Sequence, residues 1–510
     1  MRTQRMIQVF AAATLAAGAM GCDADDITKV NQNPNSPTEA PAGTVFTNAV
    51  VNGVGRFLGW GYNGRATALI VQHLAQAQYP DEDQYRRLSA GDTQTYFNTP
   101  YTSELEDLQK VIAQGTEDES PAIVGPALAM QALIFQYLTD TWGDVPYSEA
   151  LKGDTEERVL QPKYDAQKDI YAGLIASLTK VATDLASPGT ETLGNADPIY
   201  AGSPAAWQRF ANTLHARLAL RLINVEPATA AAELQKALTG PGGVFRSNAD
   251  NAVLRWPGDG AFDNSWAVNF KTRDDHRLSR TLLNIMIANN DPRVPIYAQP
   301  TTADPTKYAG MPNGLRADSA NKWLNFASRI GDRFFPGATA YGNYGGEGAS
   351  QPSYVLTYAE LQFIRAEAAE RGIAGLGAGQ AAGFYRDAIT ASLEQWGVTG
   401  AAITAYLAQP GVAYKGGTEG LKQIAVQKYI ALFADGGNAW AEWRRTCQPN
   451  TLVPGPLALV NYIPRRLLYS TTEISANSEN VQAAIARQGP DNFGTRVYWD
   501  TKPTAAPTCQ

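Results

Sequence analysis

Three histidines stand in the 510 residues, at positions 73, 215 and 276, so sites that need an imidazole as metal ligand, general base or nucleophile partner are scarce. His215 sits among Leu214, Arg217 and Leu218 on an expected helix, where a hydrogen-bonded structural role is expected. No HExxH, GxSxG or P-loop sequence occurs. Gly375-Leu376-Gly377-Ala378-Gly379 has the glycine content of a dinucleotide loop, yet it follows a helix and lacks the required strand and third Gly, so it reads as an interhelix loop. Asp81-Glu82-Asp83 is acidic enough to attract calcium. Without the Gly and the distal Glu of a calcium loop, it is expected to be solvated. No metal site and no cofactor is expected, and nothing in these residues demands an enzyme. Paired carboxylates for glycoside hydrolysis are defined by their separation in space, which a sequence does not supply.

Charge excludes another class. With 42 basic and 49 acidic side chains the formal charge is -7, and no Lys/Arg-dense segment supplies the footprint that phosphate binding needs, so nucleic acid is not an expected partner. Charged residues make up only 18% of the chain while 10 Trp and 23 Tyr are present, which shifts recognition from charge to aromatic surface.

The N-terminus reads as an address. Arg2 and Arg5 precede an uncharged stretch from Ile7 to Met20, the length of a secretory apolar region and short of a membrane span. No later segment is read as apolar enough to cross a bilayer. Ala19-Met20-Gly21-Cys22 resembles the lipobox of bacterial lipoproteins, with Ala19 where Leu is usual; an ordinary signal peptide with an accidental Cys is the alternative. Residues 1–21 are the expected signal peptide, Cys22 the lipidation site, and 22–45 an acylated tether. Asp23, Asp25 and Asp26 look like the export tag of surface lipoproteins, and Asn33-Pro34-Asn35-Ser36-Pro37 reads as an extended strap. Cys447 and Cys509 remain, and in an oxidising compartment they are expected to be paired. Neither has a second Cys or His at zinc-ligand spacing.

Residues 46–510 are expected to form a single body. Over 46–240 apolar residues recur at helical spacing: Ile123, Leu128, Ala132, Phe135 and Leu138 mark one face, and Ile170, Leu174, Leu178 and Val181 another. Breaks fall at Ser187-Pro188-Gly189 and Gly240-Pro241-Gly242-Gly243. Region 241–352 is rich in Gly, Pro, Asn and scattered aromatics, and reads as long loops with a few short strands or helices. Helical spacing returns over 353–450, with one helix ending at Arg371-Gly372, and 451–510 is irregular apart from a short helix near 480–488. Helix pairs near 122–185, 204–239 and 354–397 fit tetratricopeptide-like units loosely, without a regular period.

Four stretches then resemble the SusD/RagB family of outer-membrane nutrient-binding lipoproteins, in particular its SusD-like subgroup. The first runs Asp140-Thr141-Trp142-Gly143-Asp144-Val145-Pro146-Tyr147-Ser148-Glu149-Ala150, similar to a family signature that closes a helix. The second is Tyr358-Ala359-Glu360-Leu361-Gln362-Phe363-Ile364-Arg365-Ala366-Glu367-Ala368, followed by Phe384-Tyr385-Arg386-Asp387-Ala388. The third is Gln427-Lys428-Tyr429 running into Asn438-Ala439-Trp440-Ala441-Glu442-Trp443-Arg444-Arg445. The fourth is Ile463-Pro464-Arg465-Arg466-Leu467 with Val497-Tyr498-Trp499-Asp500. Cys447 stands where the family often has Gly, which fits a private disulfide with Cys509. The Arg444-Arg445 and Arg465-Arg466 pairs are expected to be buried or half-buried partners of carboxylates and helix ends.

The resemblance implies a mainly α fold, in which tetratricopeptide-like helix pairs support a loop-rich ligand-binding region. It implies a non-catalytic, lipid-anchored protein on the outer-membrane surface that takes oligosaccharides, or peptides, to a SusC-like TonB-dependent transporter. Sugar recognition needs flat aromatic faces against the C–H face of a pyranose and polar groups for its hydroxyls. Stretches with that mixture give the expected ligand-binding residues Trp60, Tyr62, Tyr79, Trp256, Trp266, Tyr341, Asn343 and Tyr344. Neighbouring glycines, which leave an aromatic face open, favour Trp60, Trp266, Tyr341 and Tyr344. A surface-anchored glycan hydrolase and a structural or adhesion lipoprotein are the alternatives from other classes.

Overall fold

Helices form where the apolar spacing places them, and their ends are set by specific residues. The computed structural model describes residues 40–339 and 342–502, the side chains of 336–346 excepted. Cys22, Tyr341, Cys509 and the strap at 33–37 lie outside the described residues. The first helix, α1, spans Ala42–Phe57. Three further helices matter to the scaffold's first half: α2 (Pro121–Trp142), α3 (Gln167–Asp184) and α4 (Pro204–Arg221), with α5 (Pro227–Thr239) behind α4. Each packs on its sequence neighbour, giving the pairs α2/α3 and α4/α5. The third pair is α6 (Tyr358–Arg371) with α7 (Ala378–Gln395), and α8 (Gly417–Ala431) and α9 (Gly436–Thr446) close the helical body.

Helix α2 corrects one expectation. It is 22 residues long and apolar enough to cross a membrane, yet 83% of its most apolar window is buried inside the protein, as befits a helix that is hydrophobic all round. Its end follows the motif Trp142-Gly143. Gly143 takes φ 82°, its N–H donates to Thr139 O at 2.7 Å, and a Cβ there would lie 1.8 Å from Gln488 Oε1. Only glycine serves at such a point. Trp142 is buried and donates Nε1–H to Leu468 O at 2.8 Å, while Asp144 accepts from the Gln167 N–H that opens α3 at 2.8 Å. Helix α6 is capped at Thr357, whose Oγ1 accepts from Glu360 N at 3.2 Å, and it ends in left-handed Gly372.

Between the helices runs a buried ionic network. Arg217 on α4 donates Nη2–H to Glu360 at 2.6 Å, and Arg221 donates to Asp140 at 2.8 Å. Arg445 grips Glu367 with both terminal nitrogens, at 2.7 and 2.6 Å, and also reaches Glu442. Arg465 pairs with Asp500, and Arg444 stacks 3.8 Å from the Trp440 ring centroid while donating to Arg465 O. The two arginine pairs thus take the buried places expected of them. Burial pushes Glu367 up, but the Arg445 guanidinium outweighs it and holds the carboxyl down at about 2.

Among the described residues the strands form only two-stranded ribbons, several of them reaching into the loop-rich region, which also carries short helices such as Ser265–Phe270 and Arg280–Ala288. β1 (Leu74–Gln76) pairs with β5 (His276–Leu278), β2 (Val145–Pro146) with β3 (Tyr164–Asp165), β4 (Ala252–Leu254) with β8 (Ser353–Leu356), and β6 (Pro336–Thr339) with β7 (Gly342–Glu347), all antiparallel. The C-terminal region holds two short helices, Thr471–Ala476 and Ser478–Gln488, where one was expected. The first has no buried residue and so leaves no apolar spacing to read.

Candidate functional site

The β1–β5 ribbon organises the site. Its register sets Gln76 opposite His276, and Ala77 N donates to Asp275 O at 2.7 Å just beyond it. The chain then turns at Pro80, with Glu82 N donating to Tyr79 O at 3.0 Å and Gln84 N to Pro80 O at 3.0 Å. This turn leaves Tyr79 and Asp81 outside and drives Glu82 and Asp83 inward. The expectation of a solvated acidic run is therefore corrected for two of its three residues. They are buried because partners are waiting: Glu82 accepts from Arg65 Nε and Gln76 Nε2, both at 2.8 Å, and Asp83 accepts from Gln76 N at 3.0 Å. Burial still dominates at Asp83, whose carboxyl is raised to about 7.

Over this turn lies an open groove of about 640 Å³, bordered by Arg65, Tyr79, Arg87, Asp92, Tyr96 and Arg273. Tyr79 is 48% exposed, and the Arg273 guanidinium sits 5.1 Å from its ring centroid. Arg273 is in turn paired with buried Asp275 at 3.5 Å. Burial favours the neutral carboxyl of Asp275, but the hydrogen bond and charge of His276, with Arg273 behind them, hold it down at about 2. At Arg65 burial opposes the charge and the hydrogen bond it donates to Glu82 outweighs burial, so the guanidinium is held above its ordinary value. Half-buried Tyr96 rests its edge on Tyr62 at 5.7 Å. The groove offers an aromatic face, guanidinium donors and carboxylate acceptors within one concavity, a chemistry suited to a polar ligand with an apolar face.

Among the described residues expected from sequence, Tyr79 alone borders this groove. Trp60 is 5% exposed, with Trp266, Phe270 and His276 in edge contact at 5.0, 4.8 and 4.6 Å. Tyr62 is buried with its hydroxyl on Thr141 Oγ1 at 2.6 Å, and buried Trp266 donates to Leu58 O at 3.0 Å. These three are corrections: their faces are covered by the core. The glycines near them serve packing, since a Cβ on Gly64 would lie 2.4 Å from the Trp60 ring and one on Gly437 3.1 Å from Tyr62. Trp256 is half-buried and donates to Ser353 Oγ at 2.9 Å, away from the groove. Asn343 and Tyr344 lie on β7, their side chains outside the description, and Tyr341 lies outside the described residues.

Sequence reading missed Arg65, Arg87, Tyr96 and Arg273, because only the ribbon register joins segments 61–96 and 273. It also missed Phe262, 57% exposed on a turn held by Asp259 Oδ1, which accepts from Ala261 and Phe262 N at 3.0 and 2.9 Å. His73 is buried, with Nε2 3.1 Å from Tyr429 O, and burial holds it down at about 3. His215 faces Glu233 at 3.1 Å from the buried side of α4, the structural role expected of it. Among the described residues no cluster of three or more His, Cys, Asp or Glu could hold a metal ion. Cys447 caps α9 in the left-handed conformation and is disulfide-bonded. A second cavity, about 40 Å³ beside Trp266 and Trp396, is water-sized and carries no ligand argument.

Comparison with known proteins follows this geometry. Residues 34–470 match the SusD-like family described as starch-binding and associating with the outer membrane. Among solved structures, a chitin-binding protein is 28% identical with a TM-score of 0.74, over 90% of this chain and 100% of that one. A SusD homologue from Bacteroides uniformis is 24% identical with a TM-score of 0.76, over 91% of this chain and 100% of that one. A chitin-binding SusD homologue from Flavobacterium johnsoniae is 24% identical with a TM-score of 0.75, over 90% and 100% of the two chains. Comparison with curated proteins yields no match. With its paired helices, its ribbon-built groove and a family match over most of its length, the chain belongs to the SusD-like family.

Proposed function

We propose that this chain is a non-catalytic lipoprotein of the outer-membrane surface that captures oligosaccharides in the groove at Tyr79 and delivers them to a SusC-like TonB-dependent transporter. The observation that carries the ligand reading is the exposed Tyr79 ring, stacked with Arg273 and flanked by Arg65, Asp92 and Tyr96. An aromatic face beside fixed donors and acceptors is what a pyranose requires, with the ring covering C–H groups and the polar groups meeting hydroxyls. The starch-binding description of the family and the chitin-binding relatives support a neutral glycan. Acylation at Cys22 supplies the anchor, Cys447 pairs with Cys509, and Tyr341, Asn343 and Tyr344 are further ligand contacts. None of the groove's carboxylates is needed for a reaction in this reading; they orient the guanidinium groups and accept from hydroxyls.

The test uses residues 23–510 with starch- and chitin-derived oligosaccharides, following heat of binding and product formation together. Saturable binding without cleavage, weakened about tenfold in Tyr79→Ala, is expected. Product release, or full affinity in Tyr79→Ala, overturns the reading.

A further inference from the structure

Two guanidinium groups of the groove are anchored through one buried imidazole. Glu82 uses Oε1 for Arg65 and turns Oε2 toward His276 Nε2 at 3.6 Å. Asp275 mirrors it, using Oδ2 for Arg273 at 3.5 Å and Oδ1 for His276 Nδ1 at 3.1 Å. The result is a chain of five groups, Arg65, Glu82, His276, Asp275 and Arg273, whose ends are in the groove and whose middle is buried. The ring is fixed from one side by Trp60, 4.6 Å away in edge contact, and the Gln76 amide nitrogen lies 3.3 Å from Nε2 and 3.4 Å from Nδ1 while donating to Glu82. Asp83 stands next, on the Gln76 N–H, and Asp81, Asp92 and Arg87 are the charged groups beyond Arg65 and Arg273 on the groove side.

Both ring nitrogens therefore face carboxylates. A neutral imidazole has one N–H and one lone pair, so it donates to one carboxylate only, its lone pair left to accept from the Gln76 amide; the imidazolium has two N–H donors and matches both carboxylates. We propose that His276 is the positioning residue of the groove: its imidazolium ties Glu82 to Asp275, Arg65 and Arg273 are held in place by that tie, and ligand binding is coupled to one proton on the ring. The inference rests on the groove being the ligand site. Coupling is reciprocal, so whatever holds the two guanidinium groups in their binding arrangement also favours the protonated ring. Loss of the proton removes the imidazolium bridge and leaves only the Gln76 amide, 2.8 Å from Glu82 and 3.5 Å from Asp275, linking the two carboxylates, and the arrangement loosens. Affinity then falls as pH rises, and the sign follows from the proton being bound in the competent state.

The experiment titrates the N-acetylglucosamine hexamer into wild type, His276→Gln and Asp83→Asn between about pH 5 and 9, the range in which imidazoles change charge. Alongside it, nitrogen-15 spectra of the three histidines report which ring nitrogens carry protons in unliganded wild-type protein. Wild-type affinity is expected to fall about fivefold or more on raising the pH, with His276→Gln weak and flat, and with Asp83→Asn keeping the wild-type profile. A His276 ring singly protonated at the acid end, or the same pH profile in His276→Gln, overturns the inference; the wild-type spectra decide the first point even where the variant does not fold. If the hexamer binds at no pH, the functional reading fails instead. The inference is then decided by the Nε–H signals of Arg65 and Arg273. Their joint loss with the second His276 proton supports it, and their indifference to that proton overturns it.

Discussion

The helical scaffold and the groove are built from the same residue types, arginine against carboxylate, and differ in how much of each pair is buried. In the scaffold both partners are hidden: the side chains of Arg217 and Glu360 are 1% and 2% exposed, those of Arg445 and Glu367 1% and 5%. In the groove only the carboxylate is: Arg65 is 50% exposed against 3% for Glu82, and Arg273 44% against 3% for Asp275. A pair hidden on both sides fixes two helices relative to one another and presents no donor to solvent. A pair hidden on one side fixes the guanidinium's position yet leaves N–H groups facing water, where a ligand can take them. The scaffold pairs fix helices and the groove pairs hold donors out to solvent, and burial of the cation separates the two.

Breaking a scaffold pair gives the largest expected effect. Glu367→Gln leaves Arg445 buried beside a neutral group, and urea unfolding should show a loss of about 3–5 kcal/mol. Next comes Asp83, buried without a cation. Its carboxyl is raised to about 7 in the folded protein, so the folded state holds its proton more tightly than the unfolded one. Stability from this group is full below about pH 4 and is lost as pH rises through 7. Unfolding curves of wild type should therefore fall behind those of Asp83→Asn by roughly 2–4 kcal/mol across that window. Sharpening the contrast from the groove side, Tyr79→Ala should weaken oligosaccharide affinity about tenfold, about 1.4 kcal/mol, with the melting temperature nearly unchanged. Arg273→Ala should weaken binding about fivefold and shift stability by less than about 1 kcal/mol, as a half-exposed pair does. Phe262→Ser, at a turn outside the groove, should leave stability within about 0.5 kcal/mol.

Most of the scaffold was legible because its signals are local. Ile170, Leu174, Leu178 and Val181 repeat every three or four residues and all four are buried on α3. Gly143 and Gly372 end helices where their φ values demand glycine. The groove was legible only at Tyr79. Its other members belong to segments that meet because Gln76 pairs with His276 across the ribbon, and a pairing of three residues leaves no periodic trace. Glycine beside an aromatic proved ambiguous in a physically simple way. The missing Cβ that could open a ring's face to a ligand also lets that ring sink into the core, as Gly64 does for Trp60, and which happens depends on what else packs there. Helix α2 shows the same limit in another form, since hydropathy does not distinguish the interior of a protein from that of a bilayer.

The segment Trp60–Thr67 winds as a π-helix, and this has a bearing on how such a groove could be gained or retired in a lineage. π-turns carry one residue more than the α-helix that surrounds them. A single-codon deletion there would restore ordinary winding and turn the residues of that segment by about 100°, carrying Arg65 off Glu82 and moving Tyr62 and Asn63 off Thr141 and Ala434 in the helical body. A one-residue insertion would do the reverse. The place of Arg65 beside Glu82 is thus set by the winding of one short turn, and not by the arginine–carboxylate pairs inside the helical body.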